Sequence, residues 1–349
     1  MEIENTQTKK IWLNEVSFMR PILLVLLVSY HAFAPYVGSW SLPQGIENVC
    51  TYKWLGLFSF AFLLEGYVFI SGYIFTYQVL YRKKFTSFKD LAISKLERLI
   101  IPSIVFSLIY ILLFKRDEGI VASLNDIIAG AGHLWYLPCL FWCFLMQYLI
   151  LKKSWNTYIL ITILVFGLLL SIVPLPLRIS RSLYYMMFFC GGGFFWRYSE
   201  TIKQKCNIAR CITTWIVFFV LFVTVNLALF EIKNYRSSLD VTILKGLLLA
   251  SENVLKAVLG WSGIFALYLT SIIYCRNRTI GKTILKIGAC GYGVYVFHQF
   301  ILIYLYCYTT LPSLTGTYLL PWIGMAITVV VSVCLTLAAR QTKLGRRYL

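Results

Sequence analysis

The chain has 349 residues, 59% of them hydrophobic and 13% charged, with a formal net charge of +18 and a mean hydropathy of +0.75. A water-soluble domain carries about twice that share of charged residues, so a soluble fold is excluded and an all-α polytopic integral membrane protein is expected. The basic residues cluster between apolar runs, as at a cytoplasmic membrane face, and imply contact with membrane lipids and no nucleic-acid partner.

Windows of about 20 apolar residues predict about ten spans. They fall near 17–36, 54–80, 97–114, 133–151, 157–174, 183–198, 212–230, 255–275, 287–308 and 318–339, in one membrane-embedded domain over 1–349 with no separate soluble domain. Lys9 and Lys10 precede the first run and no small-residue cleavage site follows it, which predicts a retained first helix rather than a signal peptide. With both termini placed in the cytoplasm, every inner segment is basic, from Lys9, Lys10 and Arg20, through Arg82 to Arg98, to Arg340, Lys343, Arg346 and Arg347. That satisfies the positive-inside rule. The outer segment 231–254 holds Ile243, Leu244, Leu247 and Leu248 at helical spacing beside Lys245, Glu252 and Asn253, and predicts a short helix lying on the outer surface. The ten cysteines show no CxxC or Cys/His metal spacing and read as small buried side chains, with no metal site expected.

The polar residues inside apolar runs carry the functional signal. All three histidines, His31, His133 and His298, fall in or at the edge of predicted spans, and Glu65 lies near the middle of the second. Ionisable groups at such depth are costly and face a polar cavity or one another. Arg20 and His31 are eleven residues apart, almost three helical turns, and so share one face about 16 Å apart along the axis. Membrane anchoring accounts for Arg20 alone but gives no reason for His31 in register with it. His133 reads equally as an interfacial side chain, and Glu65 with His298 as a structural hydrogen-bonded pair.

On these residues the chain resembles the acyltransferase-3 family of integral membrane O-acyltransferases. Arg20 and His31 match its Arg-x10-His signature, and "VFISGYIF" is similar to its Phe-x-x-Ser-Gly-aromatic pattern. "KLERLIIP" resembles its basic third-helix start, although Lys95 stands where an Arg is usual. "GHLWYL" resembles its His-Leu-Trp-aromatic-Leu segment and "GVYVFHQFI" its late Tyr-x-x-His motif. "GHLWYLPCLF" is further similar to the fucose 4-O-acetylase-like branch.

The resemblance implies transfer of an acyl group, usually acetyl, from cytoplasmic acetyl-CoA to a hydroxyl of a cell-envelope carbohydrate or lipid-linked glycan, in a cell membrane that is the inner membrane of a bacterium. Under it, His31 is expected as general base, Glu65 as the carboxylate that orients it, and His298 as an oxyanion donor or acceptor ligand. Arg20, Lys95 and Arg98 are expected to hold the phosphates of coenzyme A, and His133, Trp135 and Tyr136 the acceptor sugar. Two rival readings remain: a transporter or flippase for a glycan precursor or small anion, with Gly191, Gly192 and Gly193 breaking the sixth helix, and a glycan polymerase, for which the longest outer segment leaves little room.

Overall fold

The computed structural model describes residues 13–115, 123–153, 157–239, 241–278 and 280–348. In chain order its main helices are α1 (Asn14–Ala32), α2 (Cys50–Tyr81), α3 (Phe88–Phe114), α4 (Gly132–Lys152), α5 (Thr157–Leu170) and α6 (Ile179–Arg197). They continue as α7 (Ser199–Lys205), α8 (Ile208–Ser237), α9 (Thr242–Cys275), α10 (Lys282–Cys307), α11 (Leu311–Ala339) and α12 (Lys343–Tyr348). No strand occurs among the described residues. This follows from the solvent, because an apolar segment in lipid has no water to satisfy its N–H and C=O groups and satisfies them within its own helix.

Among the described residues, α1 to α4 and α8 to α11 are the eight helices long and apolar enough to cross a bilayer. The expected span near 157–174 falls on α5, whose 14 residues are fewer than a crossing needs. The span near 183–198 falls on α6, whose Ser, Arg, Tyr and Gly content lowers its hydropathy. Lys9 and Lys10 lie outside the described residues.

Helix α8 shows how such a chain meets lipid. Ile212, Ile216, Val220, Val223 and Leu227 are exposed at helical spacing, while Cys211, Phe218, Phe222, Val225 and Leu229 on the other face are buried against the protein. In water that outer stripe would be an aggregation site; in hydrocarbon it is solvated. The segment 231–254 is not the separate surface helix expected of it. Helix α8 runs on to Ser237 and α9 begins at Thr242, so the two form a long hairpin. Its cause is electrostatic: Glu252 is 1% exposed and takes Arg236 Nε at 2.8 Å and Lys256 Nζ at 3.4 Å, which ties the hairpin together.

The glycine run 191–193 does not break α6 either. It removes side chains where α6 presses on α2: a Cβ on Gly192 would meet Phe69 O at 2.0 Å, and one on Gly72 would meet Phe189 O at 1.9 Å. Small residues let helices in lipid approach to backbone contact, where dispersion replaces the missing hydrophobic force. The same helices bury Phe69, Phe188 and Phe189 completely. On the other side of the bundle, α10 packs on α1 and α11, and this pairing positions the site.

Replacing Gly192 by Leu is expected to lower the stability of the solubilised protein by about 1–3 kcal/mol or more through overpacking. Gly246→Ala, where the added Cβ meets nothing within 4 Å, is expected to leave it unchanged or raise it. Thermal melting of the two variants followed by size-exclusion chromatography checks the contrast.

Candidate active site

The three histidines, far apart in sequence, converge. Ring centroids are 4.6 Å apart for His31 and His298, 4.8 Å for His133 and His298, and 6.5 Å for His31 and His133. His298 is fully buried on α10, His133 is buried at the start of α4, and His31 is half-buried near the end of α1. His133 reaches the cluster because the chain enters α4 through a tight 3-10 turn, Gly132–Trp135, with Gly132 at φ +53°, a left-handed value that disfavours side chains. Gln299 accepts the His133 backbone N–H at 2.8 Å, and Tyr295 donates its hydroxyl to His133 O at 2.7 Å, so α10 holds this turn from both sides.

The hydrogen bonds fix the protons. His298 Nδ1 lies 2.7 Å from Tyr295 O and 3.1 Å from Val294 O. Carbonyl oxygens only accept, so Nδ1 carries the hydrogen and Nε2 of the neutral ring is an acceptor. That Nε2 lies 3.1 Å from His31 Nδ1, which also lies 3.0 Å from Leu27 O. His31 Nδ1 therefore donates, and His31 Nε2 is left with a free lone pair. This is the tautomer a general base requires, set here by the Leu27 carbonyl and a second histidine together. His133 donates from Nε2 to Val296 O at 3.0 Å, and its buried Nδ1 has no partner among the described residues. No group of three His, Cys, Asp or Glu side chains among the described residues is placed to hold a metal ion.

A cavity of about 610 Å³ lies beside this cluster, and none of the three histidines is among its lining residues. Leu27, whose carbonyl touches His31, and Tyr295, which holds His133, line one end with Tyr136. The other end is basic: Arg20 from α1, Lys95 and Arg98 from α3, Arg340 after α11, and Arg346 and Arg347 from α12. None of the described lining residues is acidic. Six cations around one low-dielectric cleft focus a field that draws in anions. Lys95 sits in an aromatic box, its Nζ 3.5 Å from the centre of the Phe144 ring and 5.7 Å from those of Phe75 and Phe85. Tyr292 donates to Arg98 O at 3.1 Å and ties α10 to α3.

The expected site residues do not all meet. Glu65 is buried, but its recorded partner is Tyr184, which donates to Oε1 at 3.2 Å; the group beside His31 is His298. His298 has both ring nitrogens engaged, Nδ1 with carbonyls and Nε2 with His31 Nδ1. Trp135 is half-buried with the Arg181 guanidinium 4.2 Å from its ring centre and Tyr185 stacked at 6.2 Å, so these faces are already covered. Tyr136 lines the cavity with a buried hydroxyl that has no partner among the described residues. Tyr67, Tyr295, Gln299 and the arginines after α11 are the contributors the sequence reading passed over. Only Tyr295 had a signal, as the first residue of the Tyr-x-x-His motif.

A family model for the acyltransferase domain of the acyltransferase-3 type matches residues 13–340, nearly the whole chain, and the chain belongs to that family. With its helices, this makes it a multi-pass membrane acyltransferase. No curated protein and no solved structure matches it.

Replacing His298 by Ala is expected to slow acyl transfer by about 10²-fold or more, comparable with loss of the base itself. Because the two imidazoles act as a unit, the His31→Ala/His298→Ala double variant is expected to be no slower than the slower single variant. Single-turnover kinetics of the three variants test this, and multiplied losses would contradict it.

Proposed function

We propose that the enzyme takes an acyl group, acetyl, from cytoplasmic acyl-CoA and passes it to a hydroxyl of a cell-envelope carbohydrate or lipid-linked glycan. The observation that carries the reading is the cavity itself, lined by six cations and, beside the histidine cluster, by Leu27 and Tyr295, whose hydrogen bonds reach His31 and His133. Coenzyme A has the same polarity, with phosphates at one end and a thioester at the other. From sulfur to the first phosphorus the pantetheine arm has about thirteen bonds, which span about 15 Å when extended. Arg20 and His31 are separated by about 16 Å of helix. Arg20, with Lys95 and Arg98, then meets the pyrophosphate while the thioester lies against His31.

In the transfer, His31 Nε2 takes the proton of the attacking hydroxyl as its oxygen adds to the thioester carbonyl. The resulting imidazolium keeps its Nδ1–H on His298 Nε2. The Tyr136 hydroxyl is free to donate to the developing oxyanion. Collapse breaks the C–S bond, and the proton on His31 passes to the departing thiolate, so the products are the ester and free coenzyme A. The acceptor approaches by the Gly132–Trp135 turn, where His133 Nδ1 offers a buried acceptor atom. The basic end of the cavity faces the cytoplasm, both termini with it, in a cell membrane that is the inner membrane of a bacterium. The transporter reading loses its proposed broken helix, because α6 runs unbroken through its glycines.

Purified protein in nanodiscs is expected to bind radiolabelled acetyl-CoA saturably and to hydrolyse it slowly. Arg20→Ala is expected to weaken binding about tenfold or more, and His31→Ala to bind but not turn over. A folded wild type that binds no acetyl-CoA would overturn the donor assignment.

A further inference from the structure

The donor reading accounts for Arg20, Lys95 and Arg98 but leaves three lining cations with no task. Arg340, Arg346 and Arg347 come from the end of the described chain and line the same cavity. They are not loosely placed there. Arg340 Nη2 donates to Ala289 O of α10 at 2.8 Å, and Arg347 Nη2 meets Glu97 Oε1 of α3 at 2.6 Å. The short helix α12 is thus drawn across the basic mouth, with Tyr348 also lining the cavity. A tail that served only to set topology would have no reason to turn back over the opening.

The length of coenzyme A says what lies at that mouth. If the thioester is at His31 and the pyrophosphate at Arg20, the adenosine and its ribose 3′-phosphate extend further outward. A phosphate monoester carries a charge of up to −2, and the planar fork of arginine suits it better than an ammonium does. We infer that Arg346 and Arg347, carried on α12 and supported by Arg340, form a subsite for the ribose 3′-phosphate of the acyl-CoA donor. The inference rests on the donor reading above and adds to it the part of the donor that sets discrimination. The Arg347–Glu97 pair is exposed, with side chains 58% and 37% accessible, and exposed pairs of this kind contribute little to stability. A phosphate can therefore take Arg347 from Glu97 at little cost.

The test uses the full chain in phosphatidylcholine nanodiscs and two probes, acetyl-CoA and 3′-dephospho-acetyl-CoA. Wild type is expected to bind acetyl-CoA about tenfold more tightly than the dephospho compound. The Arg346→Gln/Arg347→Gln variant is expected to bind both probes equally, at the wild-type affinity for the dephospho compound. Both side chains are exposed, so the variant retains its fold. Equal loss on both probes would show that the arginines act elsewhere, and a wild type that binds both probes alike would overturn the subsite while leaving the donor reading intact. A wild type that binds neither would overturn both. A phosphate is also the headgroup of an anionic lipid, so the measurement is repeated with phosphatidylglycerol in the discs. If the variant loses only its retention of phosphatidylglycerol and keeps its preference between the nucleotides, the arginines serve lipid and the inference fails.

Discussion

The 3.1 Å hydrogen bond between His31 Nδ1 and His298 Nε2 crosses from α1 to α10, and the geometry of the site follows from it. Backbone carbonyls of Leu27, Val294 and Tyr295 set the protonation of both rings. Carbonyls of Val294 and Tyr295 commit one nitrogen of His298, which commits the other, which in turn commits His31. The chain of obligations ends at a single unprotonated nitrogen. In a soluble triad a carboxylate orients the base; the group hydrogen-bonded to His31 here is a neutral imidazole, which adds no charge to the apolar bundle.

That economy explains where the charges are. The described cations of the cavity lie at its basic end, and Leu27, Tyr136 and Tyr295 line the end beside the histidines. The one buried carboxylate with two cations in contact, Glu252, lies away from the cavity and pins the α8–α9 hairpin. Close contact of α2 with α6 through Gly72 and Gly192 packs the bundle beside the cavity wall that Leu64, Tyr67 and Ile70 of α2 supply. Not every buried polar atom among the described residues is satisfied, however: Glu65 Oε2, Thr76 Oγ1 and Ser332 Oγ have no hydrogen-bond partner, and neither do Tyr136 Oη and His133 Nδ1 at the site.

Much of this was legible in the sequence, and what was not has a physical reason. Apolar runs of spanning length identify helices because lipid permits little else, and Arg20 with His31 shares a face because helical periodicity is fixed. Depth estimated along one chain, however, says nothing of lateral neighbours. His133 sits at a span edge by count, yet the Gly132 turn carries it into the cluster, a contact with α10 over more than 160 residues. Glu65 stood out as the acid deep in a span, but Tyr184, on a helix whose lateral neighbours no pattern predicts, donates to its carboxylate. Arg346 and Arg347 read as topogenic charge, since nothing local shows that α12 turns back to Glu97. The segment 231–254 read as an outer connection with a short surface helix because Glu252, Lys245 and Asn253 interrupt its hydropathy, whereas Arg236 and Lys256 make the first of these compatible with a continuous helix.

With only three histidines in the chain, the tautomer claim is open to direct observation. Nitrogen-15 solid-state spectra of histidine-labelled protein in nanodiscs at neutral pH, assigned with His31→Gln, His133→Gln and His298→Gln variants, report which ring nitrogen of each carries hydrogen. The account predicts Nδ1–H on both His298 and His31, with His31 Nε2 unprotonated and its Nδ1 resonance shifted when His298 is replaced. Hydrogen on His31 Nε2, or a His31 spectrum indifferent to the loss of His298, would contradict it.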